Sequence, residues 1–183
     1  MNFFILSQDT QVSQAVEPLG VSQAITWAQL VMAQTEGKKE LPLQFYIREN
    51  PLVEYVDFIE RPVPLLADWI KELMKKYEPA LYTRIAVLTD VKRKRQDLYW
   101  ILVPPRIACL SDQTEFHQDG TLKRLVIADE QAAGHPVFMI DGIKEPYVCV
   151  NLAVAESLLR RSCTGIRFQK IETERIRRKE GAR

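Results

Sequence analysis

The chain has 183 residues, 46% of them hydrophobic, with 25 basic and 24 acidic side chains and a formal net charge of +1. This length suits one domain, with or without an elaborated N-terminal part, and the composition excludes a disordered chain. Near-zero net charge removes the usual electrostatic case for nucleic-acid binding by the domain as a whole.

Residues 3–6 predict a first strand, and the polar stretch 7–20, with Pro18 and Gly20, reads as a loop. Val21, Ala24, Ile25, Ala28, Val31 and Met32 recur at helical spacing and predict a helix over 21–34, although Thr26 and Trp27 also admit strand for part of it. Gly37, Lys38, Lys39 and Glu40 end that segment. Residues 43–47 and 53–59 read as strands, and the turn-rich connection 48–52 admits a hairpin between them. Pro62 and Pro64 introduce a helix reaching Tyr77, because proline's missing N–H would be unpaired at a helix start anyway. Leu66, Trp69, Ile70, Leu73 and Tyr77 form its apolar stripe, with Lys71, Glu72, Lys75 and Lys76 largely away from it. Pro79 prevents continuation.

The second half is richer in strands. Residues 85–88 predict a short one, residues 89–97 a charged exposed turn, and the almost wholly apolar 98–103 a strand buried on both faces near the centre of a sheet. Residues 107–110 and 122–127 read as further strands, with a polar loop over 111–120 between them. Residues 129–134 suit one helical turn, and 137–140 and 147–150 are strands joined by the Asp141–Pro146 turn. Asn151 then caps a helix carrying Leu152, Ala155, Leu158, Leu159 and Cys163, with Glu156 four residues before Arg160 and Gly165 at its C-terminal stop. Ile166, Phe168 and Ile171 resume a strand. The short strands lack regular intervening helices, so the expected class is α+β, a single domain over 1–172 with a largely antiparallel sheet and a few packed helices. Within it, 1–60 is the least defined part, and 173–183 is a charged tail that frays or extends as an exposed helix.

Four stretches, in this order, resemble a family of bacterial immunity proteins associated with polymorphic toxin systems. They are Val63-Pro-Leu-Leu-Ala-Asp-Trp-Ile-Lys-Glu-Leu73; Leu98-Tyr-Trp-Ile-Leu-Val-Pro-Pro-Arg-Ile-Ala-Cys-Leu-Ser-Asp112; Pro136-Val-Phe-Met-Ile140; and Val148-Cys-Val-Asn-Leu-Ala-Val-Ala-Glu-Ser-Leu-Leu159 before Thr164-Gly-Ile-Arg-Phe168. The resemblance covers roughly residues 60–172. It implies a non-enzymatic cytoplasmic protein that binds and neutralises a cognate toxin, without a cofactor. It transfers no toxin-contact residues. Cys149 within the strand and Pro104-Pro105 after the aromatic strand depart from the family pattern.

Candidate chemistry is sparse. Cys109, Cys149 and Cys163 lack C-x-x-C spacing and read as reduced core thiols, with one disulfide as the alternative. His117, in a polar loop with Asp112 and Glu115, is the candidate for an acid–base site of a small hydrolase-like enzyme, against the plainer reading of a surface loop. His135 reads as a strand entry. Lys92, Arg93, Lys94 and Arg95 are the strongest charge cluster. They read as a solvated hairpin tip, as the candidate toxin contact, or as the phosphate-facing patch of a nucleic-acid module, which the net charge disfavours. Of the tryptophans and tyrosines, Trp69 and Trp100 read as core, and Trp27 is the least constrained. No metal-ligand spacing is present, and neither a secretory signal nor a membrane-length apolar run is visible.

Overall fold

The computed structural model describes residues 1–36 and 41–174. In chain order the elements are β1 (Phe3–Gln8), α1 (Val21–Ala24), α2 (Trp27–Glu36), β2 (Leu43–Tyr46), β3 (Phe58–Ile59), β4 (Leu65–Ala67), α3 (Asp68–Tyr77), β5 (Tyr82–Asp90), β6 (Arg95–Val103), β7 (Arg106–Ile107), β8 (Glu115–Phe116), β9 (Leu122–Arg124), β10 (Val126–Ala128), α4 (Asp129–Ala132), β11 (Val137–Ile140), β12 (Val148–Asn151), α5 (Leu152–Leu159), β13 (Ile166–Lys170) and β14 (Glu172–Glu174). They build an α+β single domain around two five-stranded sheets. The first sheet has the order β13-β1-β12-β11-β7 and the second β2-β5-β6-β4-β3. Most pairings are antiparallel; β7–β11, β2–β5 and β10–β14 are parallel. No helix of the described residues is long and apolar enough to cross a membrane.

Strand alternation explains how two sheets make three core layers. In β12, Val148 and Val150 enter one cluster while Cys149 enters another; in β11, Val137 and Met139 part from Phe138 and Ile140 in the same way. In β6, Leu102 joins the cluster between the sheets, whereas Tyr99, Ile101 and Val103 face the layer closed by Val21, Ile25 and Leu30. β11, β12 and the Ile101–Val103 end of β6 are covered on both faces, so they read as continuous apolar runs rather than alternating ones. The middle layer joins Leu66 and Leu102 to Ile70, Leu73 and Met74 of α3 and to Val154, Ala155 and Leu158 of α5. Burying one such side chain contributes roughly 1.5–3 kcal/mol.

A polar latch ties the two sheets together. Asp57, just before β3, accepts from the indole of Trp69 at 2.8 Å and from the Thr164 backbone N–H and hydroxyl at 2.7 and 2.9 Å. The Asp57 N–H in turn donates to the Thr164 carbonyl at 3.1 Å. Next to it, Gly165 has φ +72°, and a Cβ there would lie 2.5 Å from the Cβ of Val56. Only glycine meets both the left-handed backbone and that approach.

Several local expectations are corrected. The expected helix over 21–34 is broken: Ile25 is extended, and Thr26 opens α2 by a reciprocal cap, its hydroxyl accepting from Gln29 N–H at 3.3 Å while Gln29 Oε1 accepts from Thr26 N–H at 2.9 Å. No hairpin joins 43–47 to 53–59, because β2 pairs with β5 and β3 with β4, and only 58–59 of the second segment is strand. Pro62 and Pro64 introduce β4, not a helix; α3 begins at Asp68. Lys71 is buried rather than turned away. The loop expected over 111–120 contains β8, which hairpins with β9 across Asp119 and Gly120, and the strand expected over 122–127 divides at Leu125. Leu152 and Leu159 are exposed, the buried face of α5 being Val154, Ala155 and Leu158. The helix stops before Cys163, and Ser162, with φ +53°, takes the left-handed position ahead of Gly165. The Asn151 cap is present, accepting from Val154 N–H at 3.0 Å, as is the Glu156–Arg160 pair at 3.5 Å. Of the expected tail, Thr173 and Glu174 pair within β14; the remainder, like 37–40, lies outside the described residues.

Candidate protein interface

The second sheet is covered unequally. The β5–β6 ladder runs from Tyr82↔Val103 to Asp90↔Arg95, and β2 adds Gln44↔Val87 and Tyr46↔Thr89. Alternation therefore places Gln44, Tyr46, Ile85, Val87, Thr89, Gln96, Leu98 and Trp100 on the face that also carries Leu102. At the Leu102 end this face meets α3, α5 and the first sheet. At the hairpin end it is open. Tyr46 is 57% exposed and Leu98 45%, while Ile85, Val87 and Trp100 are half-buried. A shallow depression of about 500 Å³ continues this surface towards the tip, lined by residues that include Tyr46, Thr89, Lys94 and Gln96.

Lys71 marks the border between covered and open halves. Its ammonium sits 4.0 Å from the centroid of the Trp100 ring and pairs with Asp68 at 3.3 Å and with Glu72. Burial lowers its pKa, but the hydrogen bonds it donates to Glu72 and Asp68 outweigh that and raise it. The Trp100 indole donates to Asp68 at 2.7 Å, so the ring is held at both its edge and its face.

The tip is a tied structure. Asp90 is buried and accepts from the Arg93 backbone N–H at 2.9 Å, the Arg93 guanidinium at 2.8 Å and the Tyr55 hydroxyl at 3.0 Å. The backbone and side-chain bonds from Arg93 hold the Asp90 carboxyl below its usual pKa. Burial and the bond to Asp90 push the Tyr55 phenol up to about 12. Arg93 also donates to the carbonyls of Asn50 and Pro51 at 2.9 and 2.8 Å. Arg95 forks onto Asp97 with two bonds of 2.7 Å and lies 3.7 Å from the Tyr55 ring centroid. Lys92 lies 3.8 Å from Glu49, both exposed.

The four expected contact residues are thus divided. Arg93 and Arg95 are consumed by the Tyr55, Asp90 and Asp97 cluster, and Lys92 turns towards Glu49. Lys94, with φ +51°, lines the depression and has no carboxylate partner among the described residues. The candidate acid–base group is not gathered into a pocket: Asp112, Glu115 and His117 lie exposed along β8 and its flanks. Glu115 is paired with Lys123 at 2.6 Å, which lowers its pKa. No group of three or more potential metal ligands occurs among the described residues. All three cysteines are free thiols. Burial pushes Cys109 up to about 11 and raises Cys149 further. Cys163 is half-buried beyond α5, and burial raises it too.

No protein-family model matches the chain, and no curated protein matches it. Geometry therefore carries the functional argument. Sequence reasoning missed Tyr46, Val87 and Leu98 as one surface, because 98–103 reads as uniformly buried. The available signal was polar Gln96 two residues before Leu98, on the same face of a strand leaving an exposed turn.

Proposed function

We propose that this protein is a stoichiometric protein-binding immunity factor, acting in the cytoplasm on a cognate toxin. In this reading the open half of the second sheet docks on the toxin and occludes or distorts its active site. The observation that carries it is the contiguous surface of Tyr46, Ile85, Val87, Leu98 and Trp100, whose central aromatic ring is fixed by Lys71 and Asp68. Pre-ordered aromatic and aliphatic anchors beside a polar rim are what protein interfaces use for binding energy. Lys94 supplies the cation of that rim. The order of the four landmark stretches over 60–172 supports the choice of partner class.

An enzymatic reading has less to build on, since Glu115 is engaged by Lys123 and His117 stands on a hairpin tip. A nucleic-acid reading loses Arg93 and Arg95 to internal partners. Co-expression with the protein encoded by the neighbouring toxin gene tests the proposal. The expected result is restored growth and a co-purifying complex of equal subunits. Failure of both with every encoded neighbour contradicts it.

A further inference from the structure

The first sheet ends on β13, an edge strand that pairs, among the described residues, with β1 alone. Two bonds fix the phase of that pairing: Asp9 N–H donates to the Gly165 carbonyl and Ile171 N–H to the Phe3 carbonyl, each at 2.9 Å. With the register Ile5↔Gln169 and Ser7↔Arg167, alternation turns the backbone groups of Arg167 and Gln169 towards β1. Those of Ile166, Phe168 and Lys170 point to the open side. The β1–β12 pairing agrees, since Leu152 N–H donates to the Asn2 carbonyl and thereby assigns Phe4 and Leu6 to β12, leaving Ile5 and Ser7 for β13.

The side chains of this edge are sorted by face. Ile166 and Phe168 are half-buried against the middle core layer. Arg167 and Gln169 are exposed on the opposite face, and neither Arg167 nor Lys170 has an ion-pair partner among the described residues. A second copy pairing here would bring the cations of both chains onto one seam, which is repulsive. A strand with acidic residues on the Arg167 face and apolar ones beside Ile166 and Phe168 complements both faces.

We infer that β13 is a strand-addition site for an extended, acidic segment of a partner protein, in which carboxylates alternate with apolar side chains. Main-chain bonds to Ile166, Phe168 and Lys170 supply the docking, and Arg167 selects charge. This site is separate from the open face of the second sheet and stands without the toxin-binding reading.

The test uses the full chain and a labelled ten-residue peptide of alternating valine and glutamate. Binding is expected to saturate, and amide hydrogen exchange to slow at Ile166, Phe168 and Lys170, with Arg167 and Gln169 already protected by β1. The peptide with lysine in place of glutamate should bind at least tenfold more weakly, as should the original peptide to Arg167→Glu. A peptide with prolines at alternate positions should not protect those amides. Leu98→Glu, in the second sheet, should leave peptide binding unchanged. No exchange slowing at the three outward amides, or equal binding of the proline-interrupted peptide, overturns the inference.

Discussion

Asp57 and Asp90 each gather three donors, one set linking distant parts of the fold and the other tying up a surface tip. Asp57 takes its bonds from Trp69 and from both donors of Thr164, so one carboxylate joins the lead into β3 to α3 and to the connection before β13. Asp90 takes two of its three from Arg93, three residues away, and the third from Tyr55. The first is a latch closed between sheets. The second stiffens a hairpin whose outer face is left open. Polar residues alone do not distinguish the two; the place of the partners does, since Thr164 leads into the first sheet whereas Arg93 belongs to the tip itself.

The largest expected effect breaks the latch. Gly165→Ala combines a left-handed backbone with a Cβ placed 2.5 Å from Val56, and should destabilise by about 3–5 kcal/mol in urea unfolding. Asp57→Ala should cost about 2–4 kcal/mol, since it strips partners from Trp69 and Thr164. Asp90→Asn probes the tip through pH. The folded carboxyl is held below its usual value, so its contribution is present above the ordinary carboxylate pKa near 4 and is lost as pH falls through the folded value. The stability gap between wild type and Asp90→Asn should therefore close as pH falls below the ordinary carboxylate pKa and through the lower folded value. In absorbance titration the same substitution should bring the Tyr55 phenol down from about 12, because one of the causes raising it is removed. Smallest is Lys94→Gly. Relief of φ +51° should stabilise by about 1 kcal/mol or less, while removing the rim cation should weaken toxin binding by less than tenfold.

The fold class was legible because local signals agreed where strands and helices are long. The central place of β6 followed from its apolar run, and the start of α5 from Asn151. What stayed hidden depends on pairing at a distance. β4 spans three residues, too few to display a period of two, so its Leu66 merged with the stripe of α3. Lys71 looked like a solvated helix residue because Trp100, which receives it, lies on another element. Two signals were present and unused: Thr26 with Gln29 as a reciprocal cap, and Asp119-Gly120 as a hairpin turn. For the candidate interface, the basic cluster marked the β5–β6 hairpin but not how its charges are used: its arginines bond to Asp90, Asp97 and the carbonyls of Asn50 and Pro51, and the open surface lies beside them.

The most direct measurement of the central claim is the affinity of the toxin complex for wild type and Leu98→Glu, with folding stability followed in parallel. Leu98→Glu is expected to lose affinity on the order of 100-fold with stability changed by less than about 1 kcal/mol, since Leu98 is 45% exposed. Unchanged affinity for Leu98→Glu would contradict that claim.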